Sequence, residues 1–120
     1  MTDPRQQLLP SSAGMRLIAQ TTLYNKGDFA RLRTFLAESY HESALAEMSL
    51  AVRLAEMKAL RRLHGKLRIE QLMAVDKHQA VVVLAAERGA VFLTQIVVEE
   101  DYPHRILGFH MQALEPGEQA

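Results

Sequence analysis

Apolar residues recur along this chain at two different spacings, and the change from one to the other falls at Gly65. Before it, Leu17, Ile18, Thr21 and Tyr24 follow one another at steps of one, three and three, which is one face of a helix. Ser12 stands where it can cap the start of that helix. The stretch Asn25-Lys26-Gly27 ends it, because glycine accepts the left-handed conformation that a C-terminal cap requires. Asp28 follows as the N-cap of a second helix, whose buried stripe is Phe29, Leu32, Phe35, Leu36 and Tyr40. The segment "HESALAEMS" continues as a turn or short irregular helix. A third regular helix is predicted from about Ser49 to His64, with Leu50, Leu54, Met57, Leu60 and Leu63 on one side and Gly65 as its terminator.

Beyond Gly65, "KLRIEQLMAV", "QAVVVLAAE", "AVFLTQIVVEE" and "PHRILGFHMQAL" are rich in β-branched and aromatic residues and are divided by short polar turns. The first two connections suit hairpins, so the segments read as an antiparallel meander of four strands. Three helices followed by four strands is the segregated order of an α+β fold, with the helices packed on one face of a curved sheet. Residues 1–11 and 115–120 are polar, lack periodicity and are expected to be flexible tails flanking a single domain over 12–114.

Strict alternation assigns the faces of the strands. Leu67, Ile69, Gln71, Met73 and Val75 point inward on the first strand, against Arg68 and Glu70 outside. Phe92, Thr94, Ile96 and Val98 form an uncharged inner set on the third strand, and Leu107, Phe109, Met111 and Ala113 the inner set on the fourth. The second strand is apolar on both parities and has no assigned face. Leu72, Val91, Leu93, Val97 and Ile106 are left outside, among charges. A sheet face this apolar, with no helix over it, implies a partner, and a symmetric homodimer is expected through it.

Composition narrows the classes of function. The chain has 120 residues, enough for one domain with a core. Fourteen basic and fourteen acidic residues cancel, so no global field draws it to nucleic acid or anionic lipid. Cysteine is absent, which excludes a disulfide framework, a thiolate nucleophile and a Cys-ligated metal. The first ten residues carry no secretion-signal pattern, and no window has the roughly 18 apolar residues of a membrane span. A soluble, cytoplasmic protein is expected.

With its elements placed, "YNKGDFARLRTFL" looks like the junction between the first two helices of the nuclear transport factor two-like superfamily, the cystatin-like α+β cone. "PHRILGFHMQALEP" looks like that fold's closing strand. The resemblance covers residues 12–114 and is strongest to the small domain that accompanies bacterial β-lactamase-type serine hydrolases, although these 120 residues include no hydrolase. It implies a cone with an apolar pocket and frequent dimerisation. It does not choose among the chemistries the fold hosts.

A catalyst in such a cone needs an acid–base group facing the pocket. Glu87, Glu99, Glu100, Asp101 and Asp76 fall at strand ends or turns, and Glu70 shares the outer parity of Arg68. Gln71 and Thr94 are the polar residues expected inside; Tyr24 and Tyr40 could donate to a ligand or be core residues. The five histidines show no metal-ligand spacing, so neither metal nor cofactor is expected. The basic cluster Lys58, Arg61, Arg62, Lys66 and Arg68 complements the negative end of its helix and lacks the aromatics of a nucleic-acid site. The expectation is therefore a non-enzymatic dimer that binds an apolar small molecule or acts as an interaction module. Tyr24, Gln71, Thr94, Phe109 and Met111 would line its cavity, unless they form an ordinary filled core. The alternative is an isomerase- or cyclase-like enzyme acting on a hydrophobic carbonyl compound.

Overall fold

A computed structural model describes residues 3–114. Five helices, α1 (Pro4–Leu8), α2 (Ser12–Lys26), α3 (Phe29–Ser39), α4 (Glu42–Glu47) and α5 (Leu50–His64), precede four strands, β1 (Leu67–Val75), β2 (Gln79–Ala86), β3 (Val91–Val98) and β4 (Ile106–Ala113). The strands form one open antiparallel sheet in the order β1-β2-β3-β4. The fold class is thus the α+β meander expected. The predicted tail at 115–120 lies outside the described residues.

The N-terminal segment departs from expectation. Asp3 caps α1, and Leu8 is fully buried in the core, so residues 4–8 pack where a tail was expected. Gly14 allows this approach, since a β-carbon there would collide with the backbone of Leu8. The cap of α2 is Ser11 rather than Ser12: its hydroxyl accepts from the Gly14 N–H at 3.0 Å and donates to the Asp76 carbonyl at 2.7 Å. The helix start is thereby tied to the β1–β2 turn.

The "NKGD" stretch does more than separate two helices. Gly27 takes the left-handed cap at φ 69°, and the Asp28 carboxylate accepts from the Arg31 N–H. The Asn25 side-chain amide donates to the Leu67 carbonyl at 2.7 Å and accepts from the Leu67 N–H at 2.8 Å. This two-way bond pins the end of α2 to the first residue of β1.

Leu17, Tyr24, Leu32, Leu36 and Tyr40 from the helices meet Ala80, Val82, Leu84, Phe92, Ile96 and Val98 from the two central strands. That settles the face of β2: Val82 and Leu84 point in, with Val81, Val83 and Ala85 on the alternate parity. On the edge strands alternation fails, and bulges are the reason. In β1 the pairing steps from Ile69–Leu84 to Gln71–Val83, and from Leu72–Val82 to Ala74–Val81, leaving Glu70 and Met73 as inserted residues. Each insertion reverses parity. Leu67 and Ile69 face in as expected, but Gln71 joins Val83 outside, Leu72 turns inward, Met73 is 53% exposed, and Val75 is exposed at the strand end. In β4, Val98 pairs with Ile106 and Val97 with Gly108, so Leu107 is the inserted residue. Ile106 is fully buried and Leu107 is exposed, the reverse of strict alternation, whereas Phe109 and Met111 point in as expected. The outer face is therefore built from Val81, Val83, Ala85, Val91, Leu93 and Val97, without Leu72 and Ile106.

The β3–β4 connection is closed by Glu99. Its carboxylate accepts from the Arg105 backbone N–H at 2.8 Å and the Arg105 Nε at 3.1 Å, with His41 Nε2 3.9 Å away. The Arg105 backbone bond, then the Arg105 side chain and His41, hold the Glu99 carboxyl below the usual carboxylate range.

Two outcomes are expected. Asn25→Ala leaves both backbone groups of Leu67 without their partner and should cost about 1–3 kcal/mol in urea unfolding. Because the folded Glu99 is more acidic than the unfolded, its contribution is present above the unfolded pKa and is lost as pH falls through the folded one. Melting curves of wild type and Glu99→Gln should therefore differ at pH 7 and converge as pH falls through the carboxylate range; an unchanged gap would exclude the Glu99 linkage.

Candidate functional site

No residue of α5 is fully buried, although Leu54, Met57 and Leu60 pack against the core at its edge. The helix is instead fixed at its ends. At the C-terminal end, the Arg61 Nη2 donates to the Asn25 carbonyl at 3.1 Å, and Tyr24 donates to the carbonyl of the capping Gly65 at 2.7 Å. At the N-terminal end, Arg53 reaches back to α4: Nε donates to the Met48 carbonyl at 2.8 Å and Nη2 to the Ala44 carbonyl at 2.7 Å. Its guanidinium lies 4.8 Å from the centre of the Tyr40 ring.

Between these anchors α5 and the sheet bound a half-open cavity of about 480 Å³. Its wall is mainly apolar, with Met48, Met57 and Leu60 from the helices facing Phe92, Phe109 and Met111 from the sheet. Glu56, His110 and Ala113 also line it and are exposed, which places the opening beside them. A much smaller void of about 10 Å³ continues inward, sharing Met57, Leu60, Phe109 and Met111 and ending at Gln20 and Tyr24.

The residues expected to line a cavity are thus divided. Phe109 and Met111 line both spaces, and Tyr24 lines the inner void. Thr94 is on the inner face but lines neither; it is buried between strands with its hydroxyl donating to the Phe92 carbonyl at 3.3 Å. Gln71 is outside, carried there by the first bulge of β1. The inner polar residue is Gln20, buried on α2, whose side-chain carbonyl accepts from the Tyr40 hydroxyl at 2.8 Å.

Both tyrosines spend their single proton inside the protein. Burial pushes the Tyr24 phenol up to about 12, against the pull of the Arg61 guanidinium. Burial raises Tyr40 too, opposed by Arg53 and the Gln20 bond. Each therefore stays neutral with its O–H committed, and neither offers a ligand a free donor.

Besides Tyr40, three ionisable residues line the cavity; alternation along the strands could not find two of them because they come from α5, and the third, His110, has the parity opposite to Phe109 and Met111. Arg53 and Glu56 stand three residues apart, on the same side as Met57 and Leu60. Glu56 and His110 sit at the exposed opening, in contact with water, where a carboxylate or imidazole lacks the dry surroundings that sharpen acid–base catalysis. Elsewhere, the His78 and His104 rings approach to 5.7 Å, but among the described residues no three potential ligands gather as a metal would require. The basic cluster is dispersed: Arg61 turns to Asn25, Lys58 lies over the Phe29 ring, and Arg68 pairs with Glu70 at 3.2 Å. Among the described residues no helix is long and apolar enough to cross a membrane.

No protein-family model, no curated protein and no solved structure matches this chain.

Proposed function

We propose that the protein is a non-enzymatic binding module that holds an apolar small molecule between α5 and the sheet. One observation carries the reading: a cavity of about 480 Å³ between α5 and the sheet whose walls are mainly methionine, leucine and phenylalanine. The volume lies in the range of roughly 300–1,000 Å³ of small-molecule sites, and unbranched methionines make an adaptable lining. The resemblance of the chain to the nuclear transport factor two-like cone supports it, since that fold implies an apolar pocket. The alternative of an isomerase or cyclase rests on Glu56 and His110 at the opening, and their exposure favours binding over proton transfer.

The module pairs with a second copy of itself through the outer sheet face, in the cytoplasm. Val81, Val91, Leu93 and Val97 are the partly exposed apolar residues there, around the buried Val83 and Ala85, bordered by Gln71, Gln95, His110 and Gln112 and, beside Ala85, by Arg68 with its partner Glu70. Such a surface complements itself, because the Arg68 charge at its margin is already paired with Glu70 within the same copy.

Two measurements test these statements. Nile red, an uncharged dye, should bind with enhanced fluorescence, and Met57→Trp, which fills the space, should weaken it about tenfold or more while the protein stays folded. Undiminished dye binding in that variant would reject the cavity as the site. Sedimentation should give a dimer for wild type and a folded monomer for Leu93→Lys, which would bury an unpaired charge in the interface; a monomeric wild type would reject the pairing.

A further inference from the structure

Resting on the cavity as a ligand site, we propose that its occupant is a long-chain carboxylate, with its head received by Arg53 and its chain lying along Met57, Leu60, Phe109 and Met111. The guanidinium is held before any ligand arrives, by the Met48 and Ala44 carbonyls and by the Tyr40 ring. Those two bonds use Nε and one side of Nη2. Among the described residues Nη1 has no hydrogen-bond partner, and no carboxylate forms an ion pair with Arg53. The end-on pair of N–H groups, one on each Nη, is the half of the fork that a carboxylate takes in bidentate fashion.

Position adds to this. Arg53 lies in the first turns of the 15-residue α5, where the positive end of the helix favours an anion. Apart from Tyr40, Glu56 and His110 the wall is apolar, so a molecule that satisfies both joins one anionic head to a hydrocarbon body. Glu56, one turn further along the same helix, limits the head to a single charge, because a dianionic phosphate would meet its carboxylate. An immobilised cation loses little freedom on binding, which makes the head group count toward affinity.

The test compares decanoate with 1-decanol, which share a chain and differ in the head, by displacement of Nile red and, for decanoate, by direct calorimetry. Decanoate should displace the dye at about tenfold lower concentration than decanol or better. Arg53→Met should erase that difference without weakening decanol. Since Arg53 also steadies α4, Glu56→Gln serves as the second variant: it should tighten decanoate about two- to fivefold and leave decanol unchanged. Equal displacement by both compounds, or a decanoate preference indifferent to both substitutions, overturns the assignment of the head group. Nile red bound but displaced by neither compound overturns the chain-like ligand while leaving the cavity reading intact. Failure of Nile red and decanoate alike to bind overturns both.

Discussion

The ends of two helices and the start of the sheet are tied together within a few residues, and the arrangement of the layers depends on that tie. The Asn25 amide closes on both backbone groups of Leu67, Tyr24 closes on the Gly65 carbonyl, and Arg61 returns from α5 to the Asn25 carbonyl. Backbone groups at a helix end and a strand start would otherwise be left without partners in a partly buried place, where each costs free energy. Satisfying them from one short segment of α2 fixes where β1 begins and where α5 stops. The sheet then follows by hairpin pairing.

The cavity is a consequence of how α5 is held. A helix that buried a full apolar stripe would settle onto the sheet and exclude the space. This one is anchored at its C-terminal end by the Asn25 junction and near its N-terminal end by Arg53 on the carbonyls of α4. Its middle contributes Met57 and Leu60, long side chains that touch the sheet layer without bringing the helix down to it. The same arginine that fixes the helix also lines the cavity.

The edge strands set the other surface. Two bulges in β1 and one in β4 redirect side chains so that Leu72 and Ile106 enter the core and Gln71 leaves it. The result is a core face free of the Gln71 amide that alternation would place there. It also leaves an outer face with its apolar residues gathered on the central strands β2 and β3. An uncharged centre with polar borders is how a surface that meets another surface is commonly organised.

Local chemistry was legible from the residues alone. Gly27 and Gly65 as terminators, Asp28 as a cap, the stripe of α3, the four strands and their order, and the inward set on β3 all depend on neighbours a few positions away. Two of the expected cavity residues, Phe109 and Met111, were reachable by the same means, and Tyr24 lines the inner void. What only the tertiary structure decided is of another kind. A bulge exists because of the strand beside it, so Gln71 and Leu107 could not be assigned by counting along their own strands. Leu8 is buried because α1 meets α2 across Gly14, a contact that no periodicity announces. Arg53 and Glu56 read as an ordinary polar side of a helix; they come to line the cavity because of how α5 is held over the sheet. Helix stand-off is fixed by hydrogen bonds between segments distant in sequence, and a pattern of apolar residues carries no record of distance.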